Sequence, residues 1–161
     1  MHKQITRKRL QDLPPNPLRI EDLHEKPEQY RHTLAGSTFL LYDSYDDDEE
    51  EEKEEEEEEE CGRILVFSTL ENITRLFECT MWFVDGTFKT APTIFFQLFS
   101  ILGDVKQAGV DRKPQIVALS FVHVLLENKR QVAYSKVFSI VIEAANDLSI
   151  VNVPSLSKST E

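Results

Sequence analysis

Two short apolar runs flank an acidic segment in the first half of the chain. TFLLY at residues 38–42 and RILVF at residues 63–67 are rich in aromatic and β-branched side chains, which favour strands. A long loop between them is tolerable, because the entropy of closing a loop grows only logarithmically with its length. The two runs are therefore predicted to pair as a hairpin whose loop is the acidic segment.

Three longer apolar segments follow in the second half of the chain. They are Met81–Thr90, Ile94–Leu102 and Ile116–Leu126, all with strand-forming composition. An Ala-Pro pair separates the first two, and residues 103–114, which contain glycine and charged side chains, are predicted to link the last two. Consecutive strands with short links usually lie side by side and antiparallel, so the three segments predict a meander.

Helical signals appear in two stretches. Ser68 and Glu71 form a capping box, which predicts a helix over about residues 69–79. A stripe of apolar residues at helical spacing predicts a longer helix over about residues 129–147, with Asn128 as its N-cap. This second helix is expected to lie across the sheet.

The order of these elements predicts a mixed α/β fold that is incomplete at the C-terminus. Three antiparallel strands are followed by a crossover helix, which normally leads to a further, parallel strand. Only residues 150–153 remain to form that strand. We expect an irregular polar arm over residues 1–33 with one helical turn near Ile20–Leu23, one domain over residues 34–148, and a disordered tail over residues 149–161.

Charge is concentrated in one segment. Residues 46–60 hold acidic side chains at every position except Lys53 and contribute −13 to the net charge of −11, so the rest of the chain carries +2. So many like charges repel one another, and no apolar side chain offsets the chain entropy. Residues 44–60 are therefore predicted to be a disordered acidic loop.

The composition indicates a protein of the nucleus or cytoplasm rather than a secreted one. The chain has only two cysteines, its polar N-terminus lacks an apolar leader, and no stretch approaches the roughly 18 apolar residues of a membrane span. Lys3, Arg7, Lys8 and Arg9 form a basic patch that fits nuclear import or a simple solvated terminus. We expect no membrane partner.

Asp85 is the residue with the clearest chemical interest. It lies in WFVDGTF, within a segment that otherwise predicts a mostly buried strand. Strand interiors disfavour aspartate, and a buried lone carboxylate is costly unless it is paired or bound to a metal. An Asp-Gly pair at such a place also fits a turn or bulge, so the pair alone leaves both interpretations open.

Several motifs in order make the chain resemble the MULE (Mutator-like element) transposase domain family. The similarity spans roughly residues 34–148 without the acidic tract, and DGTFKTAP is its most specific part. The matching motifs are FLLYDS at 39–44, RILVF at 63–67, WFVDGTFKTAP at 82–92, QLFSI at 97–101 and AYSKVF at 133–138.

The resemblance implies an RNase H-like fold and cleavage and transfer of DNA strands at transposon ends. Members of this family use three acidic residues that hold Mg²⁺ or Mn²⁺, and Asp85 matches the first of the three. Two metal ions roughly 4 Å apart activate the attacking oxygen and stabilise the leaving one, so several carboxylates are needed to hold them. Asp85 is thus the candidate catalytic and metal-binding residue.

Departures from the family pattern predict that the chain is not an active enzyme by itself. The second acid should follow the crossover helix, where this chain has residues 150–153 with the neutral Asn152, and the third lies on a later helix that is missing. Glu143 and Asp147 are expected to be solvated surface residues. Leu102 stands where many relatives have histidine. We expect no stably bound metal and weak or no DNA binding.

Two hypotheses besides an inactive transposase domain remain open. The acidic tract could bind basic proteins without any nucleic-acid chemistry, or it could be a tolerated low-complexity expansion. A self-contained nuclease with a different set of acids is the third hypothesis. Without its parallel strand the sheet would expose an edge, so we also expect a marginally stable monomer or an oligomer.

Overall fold

A single antiparallel sheet organises the chain. The computed structural model describes residues 17–23, 28–46, 61–108 and 114–150. The five strands of the sheet stand in the order β1-β2-β5-β4-β3, and every neighbouring pair is antiparallel. They are β1 (Leu40–Asp43), β2 (Ile64–Phe67), β3 (Trp82–Thr87), β4 (Gln97–Ala108) and β5 (Pro114–Leu126). The predicted hairpin is β1-β2 and the predicted meander is β3-β4-β5, and both are confirmed.

The strand β5 joins the hairpin to the meander. It pairs with β4 on one side and with β2 on the other, so all five strands belong to one sheet. All strands are antiparallel, and the described residues contain no strand parallel to β3. The mixed α/β class is confirmed. Of the predicted parallel strand over residues 150–153, Ile150 lies outside the sheet, and residues 151–153 lie outside the described part of the chain.

The predicted link over residues 103–114 is wrong, because β4 continues through Gly103 to Ala108. Gly103 pairs with Leu119 of β5 inside the ladder. A β-carbon on Gly103 would clash with the Cys79 thiol and lie 3.1 Å from the Phe121 ring. The glycine therefore marks a place where other side chains approach the strand closely, not a turn.

Two helices cover one face of the sheet. They are α2 (Leu70–Glu78) and α3 (Gln131–Asp147). Apolar side chains from both helices pack with the facing side of the strands into the main core, in which Val66, Ile73, Val124 and Val141 are almost completely buried. A smaller cluster around Leu40, Leu65 and Phe95 lies apart from this core.

Both predicted N-cap residues are wrong, because each helix begins one or two residues later than predicted. Thr69, not Ser68, caps α2, and its hydroxyl accepts a hydrogen bond from the Asn72 amide at 3.1 Å. Ser68 is buried and donates to the Phe121 carbonyl at 2.9 Å instead. Asn128 does not cap α3, because its side chain donates to the Cys61 carbonyl and accepts from an amide just before the helix.

The end of α3 turns the chain back to the core. Ser149 has a φ of 57°, and the Ile150 amide donates to the Ala145 carbonyl at 3.0 Å. This pattern is a Schellman motif, which satisfies the last carbonyls of a helix. Ile150 then packs against the main core, so the predicted tail is ordered at its first two residues. The residues after Ile150 lie outside the described part.

The N-terminal arm contains the predicted helical turn. A 3₁₀ helix spans Ile20–Leu23, and a short helix α1 spans Glu28–Arg31. Ile20 and Leu23 pack on the smaller cluster. None of the helices in the described part of the chain is long and apolar enough to cross a membrane.

A buried ion pair closes the base of the acidic loop. Arg63 donates to both carboxylate oxygens of Asp43 at 2.8 and 3.0 Å, and both side chains are at least nine-tenths buried. The Arg63 guanidinium also lies 4.7 Å from the centre of the Tyr45 ring. Of the predicted disordered loop, residues 44–46 are described and form a turn beside this pair, and residues 47–60 lie outside. The ion pair fixes the two chain ends from which the acidic tract departs.

Breaking this ion pair should destabilise the fold strongly. We expect Asp43→Ala to lower the free energy of unfolding by about 3–5 kcal/mol, because it leaves the buried Arg63 charge unpaired. The matched control is Asp46→Ala, which removes an exposed ion pair with Arg31 and should cost less than about 1 kcal/mol. Chemical denaturation of both variants measures the difference, and equal losses would contradict this role for Asp43.

Candidate functional site

Asp85 lies on the face of the sheet that α2 and α3 leave uncovered. The registers of the four strand pairs place one residue from each strand in a single row. Side chains in register share a face of the sheet. The row is Leu40, Phe67, His123, Ser100 and Asp85, in the order of the strands. We call it the Asp85 row.

The Asp85 carboxylate is exposed at the edge of the sheet. Asp85 lies on β3, the last strand of the sheet, and the Thr87 hydroxyl donates to its carboxylate at 3.2 Å. The predicted mostly buried strand is wrong for this part of β3, because only Trp82 is buried there. The cost of burying a lone carboxylate therefore does not arise, and the carboxylate is accessible to a ligand.

His123 and two serines form a polar cluster next to Asp85. The Nδ1 atom of His123 lies 3.3 Å from the Ser100 hydroxyl and 3.4 Å from the Ser120 hydroxyl. Burial lowers the pKa of the His123 imidazole below its usual value. Neutral imidazole can accept a hydrogen bond from a serine or bind a metal ion. His123 is thus a partly buried histidine with hydroxyl partners.

The other acids do not complete a metal site around Asp85. In the described ranges, no three histidine, cysteine, aspartate or glutamate side chains come together as a possible metal site. Asp104 on β4 is buried and accepts a hydrogen bond from the Met81 amide at 2.7 Å, which holds the start of β3. Glu143 and Asp147 are exposed on α3, as predicted. Asn152 lies outside the described residues.

The described residues therefore do not fit a two-metal centre. Mg²⁺ and Mn²⁺ prefer oxygen ligands, and a pair of such ions needs carboxylates that bridge and hold both. Asp85 supplies one carboxylate, with Ser100 in register beside it and His123 one strand further, roughly 10 Å away between backbones. This arrangement supplies too few carboxylates to hold two ions.

The aromatic residues near this face play different roles. Phe95 and Phe99 are buried, Phe99 in the main core and Phe95 in the smaller cluster. Phe96 is exposed, contacts Phe88 edge to face at 5.4 Å between ring centroids, and has the Lys129 ammonium 5.5 Å from its ring centre. Phe96 is thus a surface residue held by an aromatic and a cation–π contact.

An apolar cavity adjoins the Asp85 row. It has a volume of about 1230 Å³ and lies between the N-terminal arm and residues 90–95. Leu40, Leu65, Phe67 and Leu125 of the sheet line it. Phe67 and Leu40 belong to both the cavity and the Asp85 row, so the two features share one sheet face. Sequence patterns gave no signal for this cavity, because the arm that walls it is polar and rich in proline.

Comparison with known proteins identifies no relative of this chain. No protein-family model, curated protein or solved structure matches this chain.

The lowered pKa of His123 should make stability depend on pH. The unfolded pKa of histidine is about 6.5, so below that pH the unfolded chain binds more protons than the folded one. The stability associated with neutral His123 is present above about pH 6.5 and is lost as the pH falls through the folded pKa. We expect His123→Gln to reduce this loss in denaturation curves measured from pH 7.5 to 5.

His32, which is only partly buried, supplies the matched control for this measurement. It pairs with Glu28 at 3.0 Å on the N-terminal arm, away from the polar cluster. His32→Gln should leave most of the pH dependence in place. A His123→Gln variant that loses as much stability on acidification as the parent would contradict the assignment to His123.

Proposed function

We propose that this chain is part of an RNase H-like domain of the MULE transposase type, with Asp85 as the first of its three metal-binding carboxylates. We further propose that the chain alone is not a DNA-cleaving enzyme. The observation that carries the proposal is the exposed Asp85 carboxylate on the first strand of a three-stranded meander that a long helix follows.

The order of elements supports the first half of the proposal. The strands β3, β4 and β5 are antiparallel neighbours, and α3 then packs on one face of the sheet they form. The motif residues FLLYDS and RILVF lie in β1 and β2, on the far side of β5. In an RNase H-like domain of this family, the strand after the helix would lie parallel to the first strand and carry the second acid.

The ligand set supports the second half of the proposal. Only one accessible carboxylate lies in the Asp85 row, and its neighbours are a hydroxyl and a neutral imidazole. One carboxylate cannot bridge two divalent ions and also anchor each of them. The likeness to the family implies a DNA partner and Mg²⁺ or Mn²⁺, while the described carboxylates around Asp85 are too few to hold two such ions.

A metal titration with a gain-of-function variant tests both halves. In a form in which residues 47–60 are replaced by a short Gly-Ser linker, we expect calorimetry to detect no Mn²⁺ binding. Ser100→Asp in that form places a second carboxylate in register beside Asp85, so we expect binding to appear with a dissociation constant on the order of 10⁻³ M. Adding Asp85→Ala should abolish it.

Each result of this titration has a distinct meaning. Absence of binding in the Ser100→Asp form, with an unchanged circular dichroism spectrum, would contradict the role of Asp85 as a metal-binding carboxylate. Mn²⁺ binding in the linker form without Ser100→Asp, lost with Asp85→Ala, would contradict the incomplete site. So would Mn²⁺-dependent cleavage of duplex DNA by the unmodified chain that Asp85→Ala removes.

A second candidate function rests on the charge of the acidic tract. Residues 46–60 carry −13, and the Asp43–Arg63 pair fixes the base of this segment on the folded domain. Such a charge density attracts basic proteins through long-range electrostatics. We propose binding of a basic protein partner as the alternative to transposase-type chemistry.

Salt dependence distinguishes this alternative from nonfunctional sequence expansion. We expect the unmodified chain to bind a histone-like basic protein, and binding measured at 0.05 and 0.3 M salt to weaken steeply because salt screens exposed charges. The Gly-Ser linker form is the matched control and should not bind. Equal binding by both forms, or no binding at low salt, would contradict the alternative.

A further inference from the structure

The outer edge of β3 is left without a partner by the strands of the described residues. β3 is the last strand in the sheet, and no strand in the described part of the chain lies on its outer side. It is six residues long and carries no lysine, arginine or proline. Proteins usually protect edge strands with such residues, because an edge presents a row of unpaired N–H and C=O groups. Phe83 and Val84 are about half exposed on it.

A hydrogen bond at the start of β3 determines which residues point their backbone N–H and C=O groups away from β4. The Met81 carbonyl accepts from the Asp104 amide of β4 at 3.2 Å, so Met81 points its backbone groups at β4. Backbone direction alternates along an antiparallel strand. Phe83, Asp85 and Thr87 therefore point at β4, and Trp82, Val84 and Gly86 point their N–H and C=O groups outward.

We propose that β3 pairs antiparallel with β3 of a second copy of this chain, about a two-fold axis at Val84, and that this pairing occupies the edge where the likeness to the transposase family would place a parallel strand. In this register Val84 pairs with Val84 of the second copy, and Trp82 pairs with Gly86 in both directions. All three outward residues of each copy then form ladder hydrogen bonds, and the two sheets join into one of ten strands. The interface is isologous, as closed dimers require.

Side chains favour this register over its neighbours. Trp82 lies on the helix-covered face, where its indole donates to the Leu76 carbonyl at 2.8 Å, so Val84 and Gly86 lie on that face as well. The valines meet at the axis, and Gly86 leaves space beside the Trp82 indole of the second copy. A shift that centres the axis on Asp85 would place two carboxylates directly opposite each other, which destabilises a strand pair.

The acidic tract determines which edge of the sheet is used. The tract departs from β1 and β2, at the opposite end of the sheet from β3. Pairing through β3 keeps the bases of the two tracts roughly 40 Å apart, from nine strand spacings, which is several Debye lengths at physiological salt. Pairing through β1 would bring two segments of charge −13 together. The start of β1 is also covered, because the Phe39 amide donates to the Arg31 carbonyl.

Sedimentation of the unmodified full chain over a range of concentrations tests the dimer. We expect a reversible monomer–dimer equilibrium that changes little with salt. Val84→Lys should weaken dimerisation by about tenfold or more, because like charges then meet at the axis. Val84→Pro should weaken it as well, because it removes an outward N–H that β4 does not use. The matched control is Ile116→Lys, an equally exposed apolar position on β5 that should not change dimerisation.

Cross-linking tests the register itself. Opposite residues in such a pair have α-carbons roughly 5.5 Å apart, within the range of a disulfide. Under mild oxidation Val84→Cys should form a cross-linked dimer much faster than Phe83→Cys, with the unmodified chain as the baseline. A chain that stays monomeric at every concentration, or a dimer that Val84→Lys leaves unchanged, would overturn the proposal. So would a dimer that strengthens steeply with salt, because that result indicates pairing near the tracts.

Discussion

The pairing of β5 with both β2 and β4 is the interaction on which the rest of the structure depends. Without it, the β1-β2 hairpin would be separate from the β3-β4-β5 meander, and an isolated two-stranded hairpin is marginally stable at best. The alternate residues Val122, Val124 and Leu126 of β5 are completely buried under the helices. The central strand therefore holds the two groups of strands together and supplies the middle of the core.

This strand order also determines where Asp85 and the acidic tract lie in the sheet. Because β5 takes the centre, β3 is left at one edge and the acidic tract at the other. The helices cover one face, so the Asp85 row and the apolar cavity share the face that remains. The same placement leaves Asp85 accessible with no second carboxylate in its row, and leaves the backbone of Val84 without a partner among the described strands. The lone Asp85 carboxylate and the unpaired edge of β3 are thus two consequences of one topology.

Local signals in the sequence predicted most elements, but they could not predict which distant strands pair or in which register. Alternation and strand-forming residues located five strands, and the apolar stripe located α3. The junction of β2 with β5 and the alignment of Ser100 and His123 with Asp85 arise from pairing between distant segments, which no local pattern encodes. Gly103 was taken for a turn because its reason, the close approach of Cys79 and Phe121, exists only in the folded chain. Ser68 was predicted to be a cap because the sequence does not reveal that its hydroxyl donates to the Phe121 carbonyl in the folded chain.

Residue-resolved amide hydrogen exchange on β3 tests the central claim most directly, namely that this strand is an edge carrying a lone, accessible Asp85. The measurement belongs on Val84→Lys at low concentration, where the chain is expected to be monomeric. The account predicts slow exchange at Phe83, Asp85 and Thr87, which face β4, and fast exchange at the two outward amides of residues 82 and 86. Slow exchange at all five amides in the monomer would contradict it, because β3 would then lie between two strands and not at an edge.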